Sequence, residues 1–295
     1  MTIRIYITGC TGEVGSRLTS ILLRHGYEVF GIRNSRNCQN THPNHVCRQM
    51  DLLDPSEDFN LDTVLPDVLV HTAWTTNPNE FWSSSRNKEW LNVSKKLIQQ
   101  FEMIGGKYLV VTGSCAEYSW NTDVALSEDS SEIPASLYGE SKLELLDWIR
   151  RRNLPFLWTR TFFQFGMNEA PGRLIPSAID SLLAGKHLMI QNAEDVRDFI
   201  FVEDVSKILA RLILDKTTGV VNLGSGIQTS VGQVLQFLSD IMGPLSNFQI
   251  ERNSASRSFV VADVAKLNAK IGNFLWTPMD VALAKTIKVR GRSLG

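Results

Sequence analysis

Ile3-Arg4-Ile5-Tyr6-Ile7-Thr8-Gly9-Cys10-Thr11-Gly12-Glu13-Val14-Gly15 is the stretch on which the fold turns. Isoleucine on alternate positions from 3 to 7 reads as a strand buried on at least one face, and glycines at 9, 12 and 15 then open a helix. The first glycine permits a tight turn, the second lets backbone approach a pyrophosphate, and the third lets helix pack on strand. The N–H groups at the helix N-terminus are then left pointing at an anion. The expected element is a dinucleotide cradle with contacts from Gly9, Thr11, Gly12, Glu13, Val14 and Gly15. A glycine turn in any α/β protein reads the same way, so the neighbouring segments decide between the two.

Outward from the cradle, Val14, Leu18, Ile21 and Leu22 form a helical stripe over Glu13–His25, and Gly26 ends it. Tyr27–Ile32 should be the second parallel strand. Its end reads Gly31-Ile32-Arg33-Asn34-Ser35-Arg36, with two arginines and no acid. An acid there would hold the ribose 2′-hydroxyl of NAD, whereas basic side chains suit the 2′-phosphate of NADP. NADP is therefore the expected cofactor, with Arg33, Asn34 and Arg36 around the phosphate; the alternative is that these arginines are merely solvated.

A third strand is expected over Val46–Leu52, ending at Asp51 and Leu52, where an acid could meet an adenine amino group. Leu65–Trp74 gives a turn and an apolar strand, as for a buried parallel position, with Thr72, Ala73 and Trp74 at its carboxyl end beside the dinucleotide. Trp90, Val93, Leu97, Ile98 and Phe101 suit a long helix stopped by Gly105-Gly106, and Tyr108–Thr112 supplies another strand. Alternation of strand and helix predicts an α/β fold with a doubly wound parallel sheet, a Rossmann domain. Residues 1–165 with a returning segment near 196–222 should form it, and 166–195 with 223–295 a smaller C-terminal substrate lobe.

The fifth strand runs into Thr112-Gly113-Ser114-Cys115-Ala116-Glu117-Tyr118, and Tyr138-Gly139-Glu140-Ser141-Lys142 opens a helix. A spacing of four puts Tyr138 and Lys142 on one face. A phenol titrates near pH ~10, and an ammonium beside it should lower that value and make it an acid-base catalyst. Ser114 could hydrogen-bond a carbonyl oxygen.

The glycine turn, the serine and the tyrosine-lysine pair, in this order, resemble the extended short-chain dehydrogenase/reductase family, in its nucleotide-sugar epimerase, dehydratase and reductase branch. Arg160–Gly166, Gly172–Pro176, Val196–Val205, Asn222–Gly226 and Val261–Asp263 are similar to later family segments. The resemblance implies that Tyr138 transfers the proton, that Lys142 also grips the nicotinamide ribose, and that Ser114 orients the substrate oxygen. It implies a cofactor contact at Phe162, and a sugar-nucleotide diphosphate met by Arg197 with Arg252 or Arg257, Arg173 being a further candidate. Helices near 84–104 and 136–152 resemble those that form a homodimer interface in relatives.

Departures from the family pattern narrow the reaction. Dehydratases of the family carry an Asp-Glu pair straight after the catalytic hydroxyl residue, where this chain has Cys115 and Ala116. C4 epimerases usually show an acid after the second strand, replaced here by Arg33 and Arg36. Members that epimerise beside the ketone use a cysteine at the position of Ala116, and Phe163 stands where many epimerases have asparagine. The expectation is an NADPH-dependent reductase of a ketone, the 4-keto group of a nucleotide-linked deoxysugar. A nucleotide-sugar epimerase is the alternative, and a non-catalytic dinucleotide-binding regulator a third reading.

Bulk properties agree with a small-molecule enzyme. A net charge of -1 and 21% charged residues offer no basic excess for nucleic acid or an anionic membrane. No apolar run approaches the ~18 residues needed to span a bilayer, and the first strand begins at residue 3, so a cytoplasmic location is expected. Four cysteines among 295 residues make no disulfide framework. Cys38, His42, His45 and Cys47 carry zinc-compatible donors, but their spacing matches no common pattern and Pro43 interrupts them, so a solvated loop and no metal are expected.

Overall fold

In the computed structural model, which describes residues 2–294 apart from 76, 79, 244–247 and 252–257, β1 (Arg4–Thr8) is buried on both faces. Ile5 and Ile7 point into one apolar layer and Tyr6 into the other. That placement puts β1 inside a seven-stranded sheet, flanked by β2 (Glu28–Arg33) and β3 (His45–Gln49) on one side. On the other side lie β4 (Val68–His71), β5 (Tyr108–Ser114), β6 (Phe156–Thr161) and β11 (Gly219–Leu223). Every pairing in this sheet is parallel. The order reverses direction at β1, so a crevice opens where the β1 and β4 carboxyl ends diverge, the position at which doubly wound sheets bind ligands.

Helices cover both faces. On the Ile5 side α1 (Glu13–Arg24) and α6 (Val202–Leu214) deliver Leu18, Leu22, Ile208, Leu209 and Leu212 to the core. On the Tyr6 side α3 (Arg86–Met103) and α4 (Leu137–Arg150) deliver Leu97, Ile98, Phe101, Leu145 and Ile149. Each such side chain contributes about 1.5–3 kcal/mol when fully buried, which explains why the helical stripes are legible in sequence. A short α2 (Leu61–Val64) leads into β4.

The remaining elements form small sheets beside the main one. β7 (Phe163–Phe165) pairs with β10 (Phe199–Phe201), β9 (Val196–Arg197) lies between β12 (Thr229–Ser230) and β14 (Phe259–Val260), and β8 (Leu188–Gln191) pairs with β13 (Phe248–Glu251). Helices α5 (Leu174–Leu183), α7 (Val231–Met242), α8 (Ala265–Ile271) and α9 (Met279–Leu294) complete the chain. Asp198 joins these pieces: its carboxylate accepts hydrogen bonds from Ser225 N and Oγ, Gly226 N and Ala262 N. It also stands between β9 and β10. No helix among the described residues is long and apolar enough to cross a membrane.

The third strand departs from expectation. It runs from His45 to Gln49 and stops short of Asp51, whose Oδ1 accepts a hydrogen bond from Leu53 N at 3.0 Å and turns the chain. His45 and Cys47 therefore belong to a sheet strand rather than a solvated loop.

Among the described residues one ion pair lies wholly inside the core. Arg160 on β6 and Glu117 are both 0% exposed, with Arg160 Nε 2.7 Å from Glu117 Oε2. Arg160 also bonds Glu132 and lies 4.3 Å over the Tyr118 ring. Removing one partner of such a pair leaves an uncompensated buried charge, at a cost of about 3–5 kcal/mol. Arg160→Ala is accordingly expected to lower the urea unfolding midpoint by that equivalent at unchanged m-value, and a midpoint equal to wild type would contradict the assignment.

Candidate active site

The β1–α1 turn is built for close approach. Gly9 has φ +72°, and a Cβ on Gly15 would stand 2.1 Å from the Gly9 carbonyl oxygen, so helix and turn can touch only if residue 15 has no side chain. Gly12, the N-cap of α1, supplies no side-chain cap, and the first N–H groups of the helix face a cavity of about 490 Å³. The cavity is lined by Gly9, Thr11, Gly12, Glu13, Val14 and Gly15, and at its far end by Arg33, Asn34, Arg36, Asp51 and Leu52. Thr72, Ala73, Trp74, Phe162 and Arg173 line it too, together with Ser114, Tyr138 and Lys142. Exposed backbone donors and a glycine-cleared approach fit a nicotinamide dinucleotide's pyrophosphate.

A buried hydrogen-bond chain fixes the end of β4. Ser94 Oγ donates to Trp90 O at 2.6 Å, so it accepts from His71 Nε2 at 2.8 Å, which leaves His71 Nδ1 to accept from Thr8 Oγ1 at 2.7 Å. Thr8 Oγ1 in turn accepts from Ala73 N at 3.3 Å, and Thr72 Oγ1 donates to Thr8 O. Burial, with the Lys142 charge adding to it, pushes His71 down to about 3, so the ring is neutral and this tautomer follows from its partners.

Ser114 ends β5. Its Oγ accepts from Ala116 N at 3.1 Å, which leaves the O–H free to donate, while its own N–H is held by Glu117 Oε1 at 2.7 Å. Glu117 also receives Trp158 Nε1 and Arg160 Nε, so every hydrogen bond it makes suits a carboxylate. Burial pushes its carboxyl above the ordinary range, and the Arg160 guanidinium opposes that shift. Gly139 lets α4 pack on this turn, because a Cβ there would meet Ala116 O at 2.2 Å. Ser136 caps α4 by accepting from Gly139 N.

Tyr138 and Lys142 do stand on one face of α4, but their electrostatics differ from the expectation. Lys142 Nζ donates to Thr112 O at 2.9 Å and sits 3.8 Å over the Trp74 ring, against 5.9 Å for the Tyr138 ring. Burial pushes the Tyr138 phenol above its ordinary value; the Ser114 hydroxyl pulls it down, and the Glu117 carboxylate and the Cys115 thiol add to the rise. Burial pushes Lys142 down to about 7, with Glu117 opposing. Desolvation, and not the Lys142 charge, is the largest influence on the phenol, and it acts upward.

Several residues here carried no clear sequence signal. Phe81 packs on Tyr138 with ring centroids 4.1 Å apart, and Trp82 lies 6.0 Å from the same ring and 5.8 Å from Trp120. Phe81 and Trp82 sit in an irregular segment between β4 and α3, where no periodicity marks them; two adjacent large rings among polar residues were the available cue. Asn87, fully buried, holds Trp74 in place by accepting its Nε1 at 2.9 Å.

Arg173 is in the cavity wall, 5.2 Å from the Phe81 ring and 3.5 Å from Glu169. Arg197 does not line the cavity: Nη1 donates to Val196 O and Ser258 O, Nη2 donates to Asp195, and the guanidinium faces the Phe163 and Trp120 rings. Its Nη1 and Nη2 atoms thus both bond protein partners. Arg252 and Arg257 lie outside the described residues. Cys115 is buried among Tyr118, Leu126, Phe162 and Val260, and burial pushes its thiol up, so it packs rather than titrates.

A family model described as the NAD dependent epimerase/dehydratase family matches residues 5–224. The chain belongs to that family. UDP-glucose 4-epimerase of Corynebacterium glutamicum is 24% identical over 316 residues, covering 97% of this chain and 94% of that one. GDP-6-deoxy-D-talose 4-dehydrogenase of Aggregatibacter actinomycetemcomitans is 26% identical over 315 residues, covering 97% and 98%. GDP-6-deoxy-D-mannose reductase of Pseudomonas aeruginosa is 25% identical over 258 residues, covering 82% and 81%. Among solved structures, UDP-glucose 4-epimerase of Thermotoga maritima, determined with UDP-glucose, superposes with a TM-score of 0.87 at 20% identity, covering 99% of this chain and all of that one (100%). The doubly wound fold read from the sequence is the fold of these structures.

Glu169 is the group expected to give the cradle a pH dependence. Its side chain is 12% exposed, Oε2 has no hydrogen-bond partner, and it lines the cavity with Glu13, whose Oε1 is also unpartnered. Burial pushes the carboxyl up to about 7, Arg173 lowers it and Glu13 raises it. Because the neutral form prevails below that pH and the anion above it, dinucleotide affinity should fall as pH rises through about 7. Fluorescence titrations between about pH 6 and 8 check this: Glu169→Gln should flatten the dependence, and a variant as pH-sensitive as wild type would remove Glu169 from the account.

Proposed function

We propose that the protein is an NADPH-dependent reductase acting on a ketone, the 4-keto group of a nucleotide-linked deoxysugar. The observation that carries the reading is the placement of Tyr138: a buried phenol beside Ser114 on the wall of the cavity that the glycine turn opens. Reduction of a carbonyl needs a proton donor at the oxygen, and a phenol in that place can supply it. The reverse oxidation would use the same residue as phenolate, so the direction follows from the supply of reduced cofactor.

A bound nicotinamide dinucleotide would supply the hydride. The residues that would hold it are the glycine turn, Lys142 and, at the adenosine end, Arg33, Asn34 and Arg36. The end of β2 has no acid, and that composition supports NADPH over NADH. Tyr138 gives its proton to the substrate oxygen as negative charge develops there. Ser114, its lone pair engaged by Ala116 N, donates its O–H to the same atom. The aromatic surface of Phe81, Trp82 and Trp120 excludes water from the transfer and offers rings for a sugar's apolar face. The carboxylate pair of a dehydratase is replaced by the packed Cys115 and Ala116, and the carboxylate that follows them, Glu117, is engaged by Ser114 N, Trp158 and Arg160.

A GDP-6-deoxy-D-mannose reductase and a GDP-6-deoxy-D-talose 4-dehydrogenase among the relatives support this substrate class. Epimerases among them support the second reading, in which hydride returns to the same molecule and no NADPH is consumed. Pairing through α3 and α4 in a homodimer is proposed on family resemblance.

Stoichiometric NADPH oxidation by 4-keto-6-deoxy sugar nucleotides tests the reductase. Tyr138→Phe should lower kcat roughly 10²–10⁴-fold with cofactor affinity retained. Interconversion of sugar epimers with no net NADPH loss would establish the epimerase instead. Replacing both Arg33 and Arg36 by alanine should weaken NADPH by at least about tenfold and leave NADH within about twofold; equal losses for both would contradict recognition of the 2′-phosphate.

A further inference from the structure

Beneath the glycine turn, on the side away from the cavity, three side chains from separate elements converge. Cys10 lies in the turn itself, and His45 and Cys47 project from β3. Their ligand atoms all lie within 4.8 Å of one another, with Cys10 Sγ 3.6 Å from Cys47 Sγ. Two thiolates on a tetrahedral zinc ion, at Zn–S of about 2.3 Å, stand about 3.8 Å apart. The pair is already at that spacing.

The imidazole supplies the independent observation. His45 Nδ1 lies 3.2 Å from Asn40 O, so that nitrogen carries the proton and Nε2 carries the lone pair. Nε2 is buried and has no hydrogen-bond partner. It faces the sulfurs: a Cβ placed on Gly31, the β2 residue paired with Cys47, would meet Cys10 Sγ at 2.7 Å and His45 Nε2 at 3.1 Å. A ring nitrogen stripped of water and aimed at two thiols, its other nitrogen tied to a backbone carbonyl, is the arrangement of a metal-ligating histidine.

A route is present. Cys10, Cys38 and His45 line an open groove outside the dinucleotide cavity, through which a cation could enter. We propose that Cys10, His45 and Cys47 form a three-ligand binding site for a soft divalent cation of the zinc class, with solvent able to supply the fourth position. Sequence spacing hid it, because Cys10 lies far from the other two and the turn brings it in. A cation there would tie the glycine turn to β3. Binding would displace the thiol protons, so affinity should rise with pH.

Cobalt(II) is the probe, titrated into the full-length protein kept reduced with a phosphine. One equivalent should give thiolate-to-cobalt charge-transfer absorption with tetrahedral ligand-field bands, displaced by zinc(II). Cys47→Ser and His45→Gln should each weaken cobalt at least about tenfold. Neither residue lines the dinucleotide cavity, so wild-type dinucleotide affinity and circular dichroism in the same variants verify the fold. A reduced, folded wild-type protein without the charge-transfer band overturns the proposal. So does unchanged cobalt affinity in both variants, or a Cys10–Cys47 disulfide that forms despite saturating zinc.

Discussion

Glu117 is a carboxylate taken entirely out of water, and the end of β5 is arranged to keep it there. Its oxygens receive the Ser114 N–H, the Trp158 indole N–H and the Arg160 guanidinium, so the charge is compensated by donors fixed on β5 and β6. A lone buried carboxylate would neutralise or unfold its surroundings. With these partners it instead pins the backbone of Ser114 and sets the field in which Tyr138 and Lys142 titrate. Both groups lie in that field and respond oppositely to it: the negative charge opposes phenolate formation and supports the ammonium.

The same exclusion of water accounts for the rest of the constellation. His71 is neutral because it is buried, and its fixed tautomer positions Thr8 and Ala73 where β1 and β4 diverge. Lys142 finds its compensation in the Thr112 carbonyl and the Trp74 ring. Proton chemistry here is governed by desolvation first and by specific charges second. A reductase can use such a site directly, since the form of tyrosine that low polarity favours is the form that donates.

Much of this was legible in the chain. The three glycines, the alternating isoleucines and the apolar helical stripes specify local geometry, and local geometry survives tertiary context. Ser114, Tyr138 and Lys142 were legible because spacing places them on one helix face and one strand end. What sequence could not give was the balance between burial and charge. The spacing of Tyr138 and Lys142 suggests an ammonium against a phenol, whereas the fold directs that ammonium to Trp74. The sequence does not show that Arg197 bonds Asp195 and two backbone carbonyls. Cys10 and Cys47 are distant in sequence and meet only because β2 and β3 pair beneath the turn. Long-range juxtapositions of this kind leave no periodic signal.

The central claim is that burial and the Glu117 charge hold Tyr138 as a neutral phenol. Tyrosine labelled with carbon-13 at Cζ, with the Tyr138 resonance assigned through Tyr138→Phe, reads that protonation state directly in an NMR pH titration. A Tyr138 signal that keeps the phenol shift past the ordinary tyrosine midpoint near pH ~10, and that titrates earlier when Glu117 is replaced by glutamine, is the predicted result. A phenolate shift at neutral pH would contradict the account.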